Sequence, residues 1–294
     1  MNPTTWTPPQ LVLWIKNELT RRGFEGNLRL EAELLVSHGL KIDRVQLFLQ
    51  FDRPLNEQER SDIRELVRRR FSGEPVAYIL GDAHFWDLTL KVGSGVLIPR
   101  SDTEVLVEYL VDQFPGPTPT RALEFGIGSG AISLAWGCSV KNLEIDGLEI
   151  SPQAFEYANQ NLELCKQRLA DNGSEVLFYL DQPIQNFEGP YDVIVSNPPY
   201  ITADEMLDLS PGVKNFEPAL ALAGGKDGLE FYRLLFQESL RLLNPQGILV
   251  IEHGYAQKEA ILKLMPPGLG LSCARQDLNK QDRMLAFNRL GEPS

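Results

Sequence analysis

The sequence predicts an α/β protein. Its main body is a seven-stranded, mostly parallel sheet with an antiparallel last strand, preceded by a small helical domain and a β-hairpin linker. Three observations carry that expectation. From Arg121 onward, short apolar runs alternate with amphipathic stretches, the order of elements that buries a parallel sheet on both faces. Residues 1–82 instead repeat their apolar positions at helical spacing. Residues 83–100 switch to alternation broken by glycines, the pattern of a hairpin. The expected division is therefore 1–82 helical, 83–100 hairpin linker and 101–294 α/β domain.

The chain has 294 residues, enough for two domains. With 43% hydrophobic and 23% charged residues it has the composition of an ordinary globular protein, which excludes disorder on a large scale. The net charge of −12 is unevenly placed. Residues 1–100 hold 14 basic and 13 acidic side chains, residues 101–294 hold 14 and 27. An acidic C-terminal part repels a phosphate backbone, so a broad nucleic-acid surface there is disfavoured. Cys138, Cys165 and Cys273 are far apart and show neither zinc-ligand nor disulfide spacing, as expected of a protein in a reducing cytoplasm with no bound metal. The first residues show no basic stretch ahead of an apolar run, and no stretch approaches the ~20 apolar residues of a membrane span.

In chain order, Thr7 before Pro8 predicts a helix start, with Leu11, Leu13, Trp14, Ile15 and Leu19 as its apolar stripe. Residues 28–40 and 56–71 repeat the pattern, the latter ending in Arg68-Arg69-Arg70. Ser101 and Glu104 have capping-box spacing and are expected to open a helix running to Phe114. Strands are expected at 122–125, 143–149, 176–180, 191–196, 248–252, 269–274 and 283–288, with helices at 129–136, 151–170, 229–243 and 257–264. The last two strands have no helix between them and should pair antiparallel.

Glu124-Phe125-Gly126-Ile127-Gly128-Ser129-Gly130 stands where a buried strand gives way to a helix. Glycines there permit a tight turn and let a ligand approach bare main chain, and the helix N-terminus favours an anionic group. The spacing alone also fits a dinucleotide fingerprint or a plain strand-to-helix turn. Glu124 shifts the balance, because a carboxylate beside a pyrophosphate is costly, whereas beside the ammonium and sulfonium of S-adenosylmethionine (AdoMet) it is favourable. Glu149 closes the next strand at the offset where an acidic side chain meets ribose hydroxyls; it also suits the start of the following helix. Asp181 and Gln182 follow the third strand, where an adenine would lie, and serve equally as turn residues before Pro183.

The strand at 191–196 runs into Asn197-Pro198-Pro199-Tyr200. Two prolines stiffen the main chain and hold Asn197 in a fixed direction. That suits a planar, weakly nucleophilic NH2 group: the Asn197 side-chain oxygen and the Pro198 carbonyl can each accept one N–H, aligning the nitrogen and stabilising the charge that grows on it. Tyr200 can stack on the planar group. No separate base is needed, since the proton becomes acidic once the nitrogen is alkylated.

These residues resemble the PrmC/HemK family of protein-glutamine N5-methyltransferases over nearly the whole chain. The resemblance includes Arg68-Arg69-Arg70, Gly73-Glu74-Pro75-Val76-Ala77-Tyr78, Phe85-Trp86, Leu97-Ile98-Pro99-Arg100 with Asp102-Thr103-Glu104, the glycine loop, Ser196-Asn197-Pro198-Pro199-Tyr200, Phe216-Glu217-Pro218 and Glu252-His253-Gly254. It implies a class I AdoMet-dependent methyltransferase fold. It further implies a cofactor held by Gly126 through Gly130 and Glu149, with Gln182 at the adenine end and Asn197 near the methyl. A glutamine gripped by Asn197 to Tyr200 is implied too, with Phe85 and Pro99-Arg100 at the pocket mouth. The family commonly has Asp where this chain has Glu124 and Glu149, which changes reach but keeps the charge, and often an aromatic residue where Gln182 stands. The implied substrate is the GGQ glutamine of peptide-chain release factors, gripped by the N-terminal domain, with Arg68 to Arg70 as candidate contacts; a basic run at a helix end also reads as solvated charge. Two other readings remain at this point, an adenine-N6 nucleic-acid methyltransferase, which shares Asn-Pro-Pro-Tyr, and an inactive AdoMet-binding adaptor.

Overall fold

The structure is a computed structural model that describes residues 6–50 and 52–290. These fall into two compact units, one made of the described residues up to Gly81 with Pro211–Phe216, the other of Asp82–Ser210 and the described residues from Glu217.

The first unit holds five consecutive helices, α1 (Pro8–Arg21), α2 (Leu28–Leu40), α3 (Arg44–Leu49), α4 (Glu57–Phe71) and α5 (Val76–Leu80). Their starts follow local capping chemistry. The Thr7 N–H donates to the Gln10 side chain ahead of α1, and Asn56 and Glu59 exchange side-chain and main-chain hydrogen bonds at 2.9 Å at the head of α4. Ile15, Leu19, Leu35, Val36, Ile63 and Val67 meet in one core. The arginine run at the end of α4 divides. Arg70 is buried, pairs with Glu31 at 2.8 Å and covers the Phe24 ring; Arg69 forks onto Glu74; Arg68 stays exposed beside Glu65. All three are thus engaged inside the unit that carries them, Arg68 at its surface.

The second unit begins with a hairpin, β1 (Asp82–Phe85) and β2 (Leu88–Lys91). There follow α6 (Glu104–Gln113), β3 (Thr120–Phe125), α7 (Ala131–Ser139), β4 (Leu143–Glu149), α8 (Pro152–Asp171), β5 (Glu175–Leu180), β6 (Tyr191–Ser196), α9 (Glu205–Asp208), α10 (Pro211–Phe216, grouped with the first unit), α11 (Glu230–Leu242), β7 (Leu243–Glu252), α12 (Lys258–Leu264), β8 (Leu269–Gln276) and β9 (Asp282–Arg289). The strand order is β5-β4-β3-β6-β7-β9-β8, and β9 alone runs antiparallel to its neighbours. One expected start is different. Ser101–Thr103 form a short 3₁₀ turn ahead of α6 without a side-chain cap, because the Glu104 carboxylate accepts the Trp86 N–H at 2.9 Å instead of folding back on Ser101.

Successive strand residues feed opposite cores, as the two-residue period of a strand requires. Ala122, Val193, Val195, Ile248, Val250, Met284 and Ala286 pack against α6, α7 and α8 and the hairpin residues Phe85 and Leu90. Leu123, Ile194, Leu249, Ile251, Leu285 and Phe287 pack against α11 and α12. At about 25 cal/mol for each Å² of apolar surface removed from water, a sheet buried on both faces is rigid enough to hold loops at its edge in fixed positions.

Gly147, in the middle of β4, shows how closely the sheet fits the loop above it. A Cβ there would stand 2.7 Å from both the Ile127 methyl and the Phe178 ring. Gly147→Ala is expected to lower stability by ~1–3 kcal/mol, the usual cost of overpacking. Urea unfolding measures it, and an unchanged midpoint would show that the loop yields freely.

Candidate active site

The chain turns in opposite directions on leaving β3 and β6, so their carboxyl ends open a crevice at the switch point of the sheet. The parallel register aligns Ala122, Leu123 and Glu124 with Val193, Ile194 and Val195. The glycine loop and Asn197 consequently emerge side by side, and the Ser196 hydroxyl ties the ends together by donating to the Phe125 carbonyl at 2.7 Å.

In the loop, Gly126, Gly128 and Gly130 have φ of +74°, +56° and +79°, which side chains rarely adopt. A Cβ on Gly126 or Gly128 would find no protein atom within 4 Å, so both present bare main chain to open space. Glu149 fastens the loop: one carboxylate oxygen accepts the Gly128 N–H at 2.9 Å, the other the Ile150 and Ser151 N–H groups, also at 2.9 Å. Asn161 of α8, fully buried, adds a second clamp by donating to the Ser129 and Lys91 carbonyls while its oxygen accepts the Lys91 N–H.

Glu124 is 1% exposed, and one of its oxygens accepts both the N–H and the hydroxyl of Ser133. Burial pushes this carboxyl up to about 8 against those hydrogen bonds, with Glu149 adding to the rise. Without a ligand it carries a proton at neutral pH, and a cation placed beside it would restore its charge. Glu252, at the end of β7, is 2% exposed and is pushed up to about 7, again chiefly by burial and against Thr103 and Arg283. Tyr200 directs its hydroxyl at Glu252 (3.4 Å), and burial raises its own titration.

Two cavities meet in the crevice. The larger is lined by Gly126, Gly128, Glu149, Ile150, Gln182, Asn197, Pro199, Leu220 and Phe231 among others. The smaller is lined by Phe85, Pro99, Arg100, Thr103, Glu124, Ile127, Ser129 and Asn197 among others. Leu97, Gly126, Gly128 and Asn197 belong to both. Asn197 stands at the junction, its side-chain NH2 donating to the Thr103 hydroxyl at 3.1 Å. Among the described residues its Oδ1 accepts no hydrogen bond.

The sequence-derived residues thus occupy several places. Gly126, Gly128, Glu149, Gln182, Pro199 and Asn197 line the larger cavity, and Phe85, Arg100, Glu124, Ile127 and Ser129 the smaller. Gly130 caps α7. Asp181 sits exposed in a left-handed turn, its N–H on the Glu149 carbonyl, outside both linings. Pro198 is buried, and Tyr200 lies behind the crevice against Glu252. Arg100 pairs with Glu217, whose other oxygen accepts the Ile98 N–H; this joins the segment after the hairpin to the Pro218–Ala221 wall of the larger cavity. Sequence reasoning did not single out Ile150, Leu220, Phe231, Asn161 or the Asn197 partner Thr103 for a role. Ile150 and Leu220 are apolar yet about half exposed, which pattern cannot reveal, and Asn161 is a polar residue on a core-facing helix stripe, the one available signal.

Seven strands in this order, with the antiparallel β9 between β7 and β8, define the fold of the class I AdoMet-dependent methyltransferases. Two solved structures share that fold: a methyltransferase from Pyrococcus furiosus (22% identity, TM-score 0.50, covering 76% of this chain and 98% of that one) and the hMettl16 catalytic domain in complex with the MAT2A 3′UTR hairpin 6 (18%, 0.51, 71% and 78%). Residues 10–81 match the PrmC N-terminal domain and residues 101–210 the methyltransferase small domain. The release factor glutamine methyltransferase of Geobacter sulfurreducens is 39% identical over 293 residues, covering 98% of this chain and 99% of its own. That of Thermodesulfovibrio yellowstonii is 35% identical over 270 residues, covering 90% and 94%. The chain belongs to the release factor glutamine methyltransferase family.

The raised Glu124 carboxyl has a consequence for stability. The folded protein keeps its proton up to about 8, while the unfolded chain releases it near 4.5. Its contribution is complete below 4.5 and is lost as pH rises toward 8. Glu252 acts in the same sense up to about 7, and the buried His253, held below its usual range, acts oppositely up to 6.5. The stability of the wild type relative to Glu124→Gln should therefore fall between pH 5 and 8, by at most about 1.4 kcal/mol per unit. Urea midpoints across that range measure it, and a pH-independent difference would contradict it.

Proposed function

We propose that this enzyme transfers a methyl group from AdoMet to the side-chain amide nitrogen of the GGQ glutamine in peptide-chain release factors, in the cytoplasm. The observation that carries the reading is the position of Asn197, at the meeting of the glycine-loop cavity and a second, smaller one, with its amide oxygen uncommitted among the described residues.

The residues fit the cofactor. Glycines with bare main chain would cradle it, Glu149, its oxygens already oriented by main-chain N–H groups, would take the ribose hydroxyls, and the protonated Glu124 would regain its charge beside an ammonium. Gln182, Ile150 and Leu220 line the cavity at the end expected for adenine. When bound, AdoMet supplies an electrophilic methyl carbon. The protein's work is to bring a poor nucleophile to it. A carboxamide nitrogen has its lone pair delocalised, so Asn197 Oδ1 and the Pro198 carbonyl accept its two N–H groups, hold it in line and stabilise the positive charge that develops. Once alkylated, the nitrogen loses a proton without a dedicated base. Phe85, Pro99 and Arg100 form the wall through which the glutamine would enter. The acidic balance of residues 101–294 supports a protein substrate over a nucleic acid.

Labelled AdoMet offered with a release factor, with the same factor carrying a substituted GGQ glutamine, and with DNA is expected to label the first alone. Label in DNA and none in the release factor would overturn the reading. Asn197→Ala should lower kcat roughly 100-fold, the scale of losing a transition-state hydrogen-bonding group. AdoMet affinity by calorimetry should stay within about threefold, and near-normal turnover in this variant would remove Asn197 from the mechanism.

A further inference from the structure

A side-chain amide carries donors at one end and an acceptor at the other, so main-chain partners, whose roles cannot change, determine which way it lies. Asn161, on α8, is fully buried and has three such partners. Its NH2 group donates to the Ser129 carbonyl at 2.9 Å and to the Lys91 carbonyl at 3.1 Å, and its oxygen accepts the Lys91 N–H at 2.6 Å. Turned the other way, it would set an oxygen against two carbonyls and an NH2 group against an N–H. The orientation is settled by geometry alone.

The residues it holds belong to two different walls of the crevice. Ser129 is part of the glycine loop and lines the smaller cavity. Its carbonyl stands four residues before Ser133, whose N–H would ordinarily reach back to it, but that N–H goes to Glu124 at 2.9 Å instead. Among the described residues Asn161 is the one donor left for this buried carbonyl, which would be costly to leave unpaired. Lys91 ends β2, and the chain beyond it supplies Gly95 to the larger cavity and Leu97 to both. That segment lies tight on α8. A Cβ on Gly93 would run into the Tyr157 hydroxyl, and one on Gly95 would stand 2.6 Å from the Gln153 side chain. Gln153, Tyr157 and Asn161 recur every four residues and so share one face of the helix.

We propose that Asn161 is a positioning residue for the cofactor: by holding the Ser129 carbonyl and the Lys91 main chain with one amide, it fixes the glycine loop relative to the Gly93–Leu97 segment and so sets the spacing of two walls that receive AdoMet. Asn161 itself lines neither cavity, so it acts only through the main chain it holds. Glu149 grips the same loop at Gly128, but its other hydrogen bonds run to Ile150 and Ser151 and not to the hairpin segment. The inference rests on the AdoMet reading of the crevice and deepens it by naming a residue outside the lining.

Asn161→Asp tests it, because the variant keeps the shape and the acceptor for the Lys91 N–H but leaves at most one proton for the two carbonyls. Leu169→Ala, two turns further along α8, is the control for lost packing alone, since Leu169 is buried in the core and lines neither cavity. In Asn161→Asp the AdoMet Kd by calorimetry should rise about tenfold, the scale of one or two lost hydrogen bonds, while kcat at saturating AdoMet stays within about threefold. In Leu169→Ala the Kd should stay within about twofold although the urea midpoint falls. Without cofactor, hydrogen exchange at the Gly128 to Gly130 amides should quicken in Asn161→Asp and not in the control. A merely structural role would lower the midpoint in both variants and move neither Kd nor loop exchange. An Asn161→Asp Kd within about twofold of wild type, or loop exchange no faster than in Leu169→Ala, would overturn the proposal. Should Asn161→Asp fail to fold, Asn161→Ser, whose single hydroxyl proton serves one carbonyl at most, decides it by the same two readouts. Absence of AdoMet binding by the wild type would instead sink the cofactor reading, and loop exchange in the ligand-free protein would still judge the clamp, so the two failures are separable.

Discussion

The parallel pairing of β3 with β6 is the constraint on which the chemistry rests. Because Glu124 lies opposite Val195, the two chain ends that carry the glycine loop and the Asn-Pro-Pro-Tyr turn leave the sheet at the same level, tied by the Ser196 hydroxyl to the Phe125 carbonyl. A slip of one residue would reverse the faces on which Leu123 and Ile194 are buried, exchanging one apolar core for the other. Burial on both sides of the sheet therefore holds Asn197 beside Gly126, although no bond between those two residues exists to do so.

Around that junction the acidic residues divide the work by environment. Glu149 is clamped by three main-chain N–H groups and serves as both fastener and cavity wall. Glu124, deeper and bonded to Ser133, keeps its proton up to about 8 because burial disfavours its charged form. Glu252 lies behind Tyr200 and Thr103, outside the lining of either cavity. Three carboxylates of one residue type thus stand in three environments, and burial together with hydrogen-bond partners sets the proton affinity of the two buried deepest.

Much of the fold was legible because its signals are local. The strand-to-helix alternation, the helix-free connection between the last two strands and the termini set by Pro152, Thr7 and Asn56 all depend on neighbours in sequence. The places where local reasoning fell short are those where a distant group competed for a side chain. Glu104 has capping-box spacing with Ser101, but Trp86 offers its N–H and takes the carboxylate. Arg69 and Arg70 look like a solvated basic run, but Glu74 and Glu31 claim them. Asp181 and Gln182, adjacent in sequence, part at a left-handed turn, so that only Gln182 reaches the cavity.

From the sequence alone came the class of fold, the glycine loop, the acidic strand end and the proline-stiffened asparagine, because each is written in consecutive residues whose conformational limits are intrinsic. Tertiary structure alone decided that Thr103, Glu252 and Tyr200 converge behind Asn197, that Arg100 and Glu217 join across more than a hundred residues, and that Glu124 holds its proton to about 8. The physical reason is that hydrogen-bond direction and proton affinity depend on which groups are brought together away from water, and only the packed sheet brings them there.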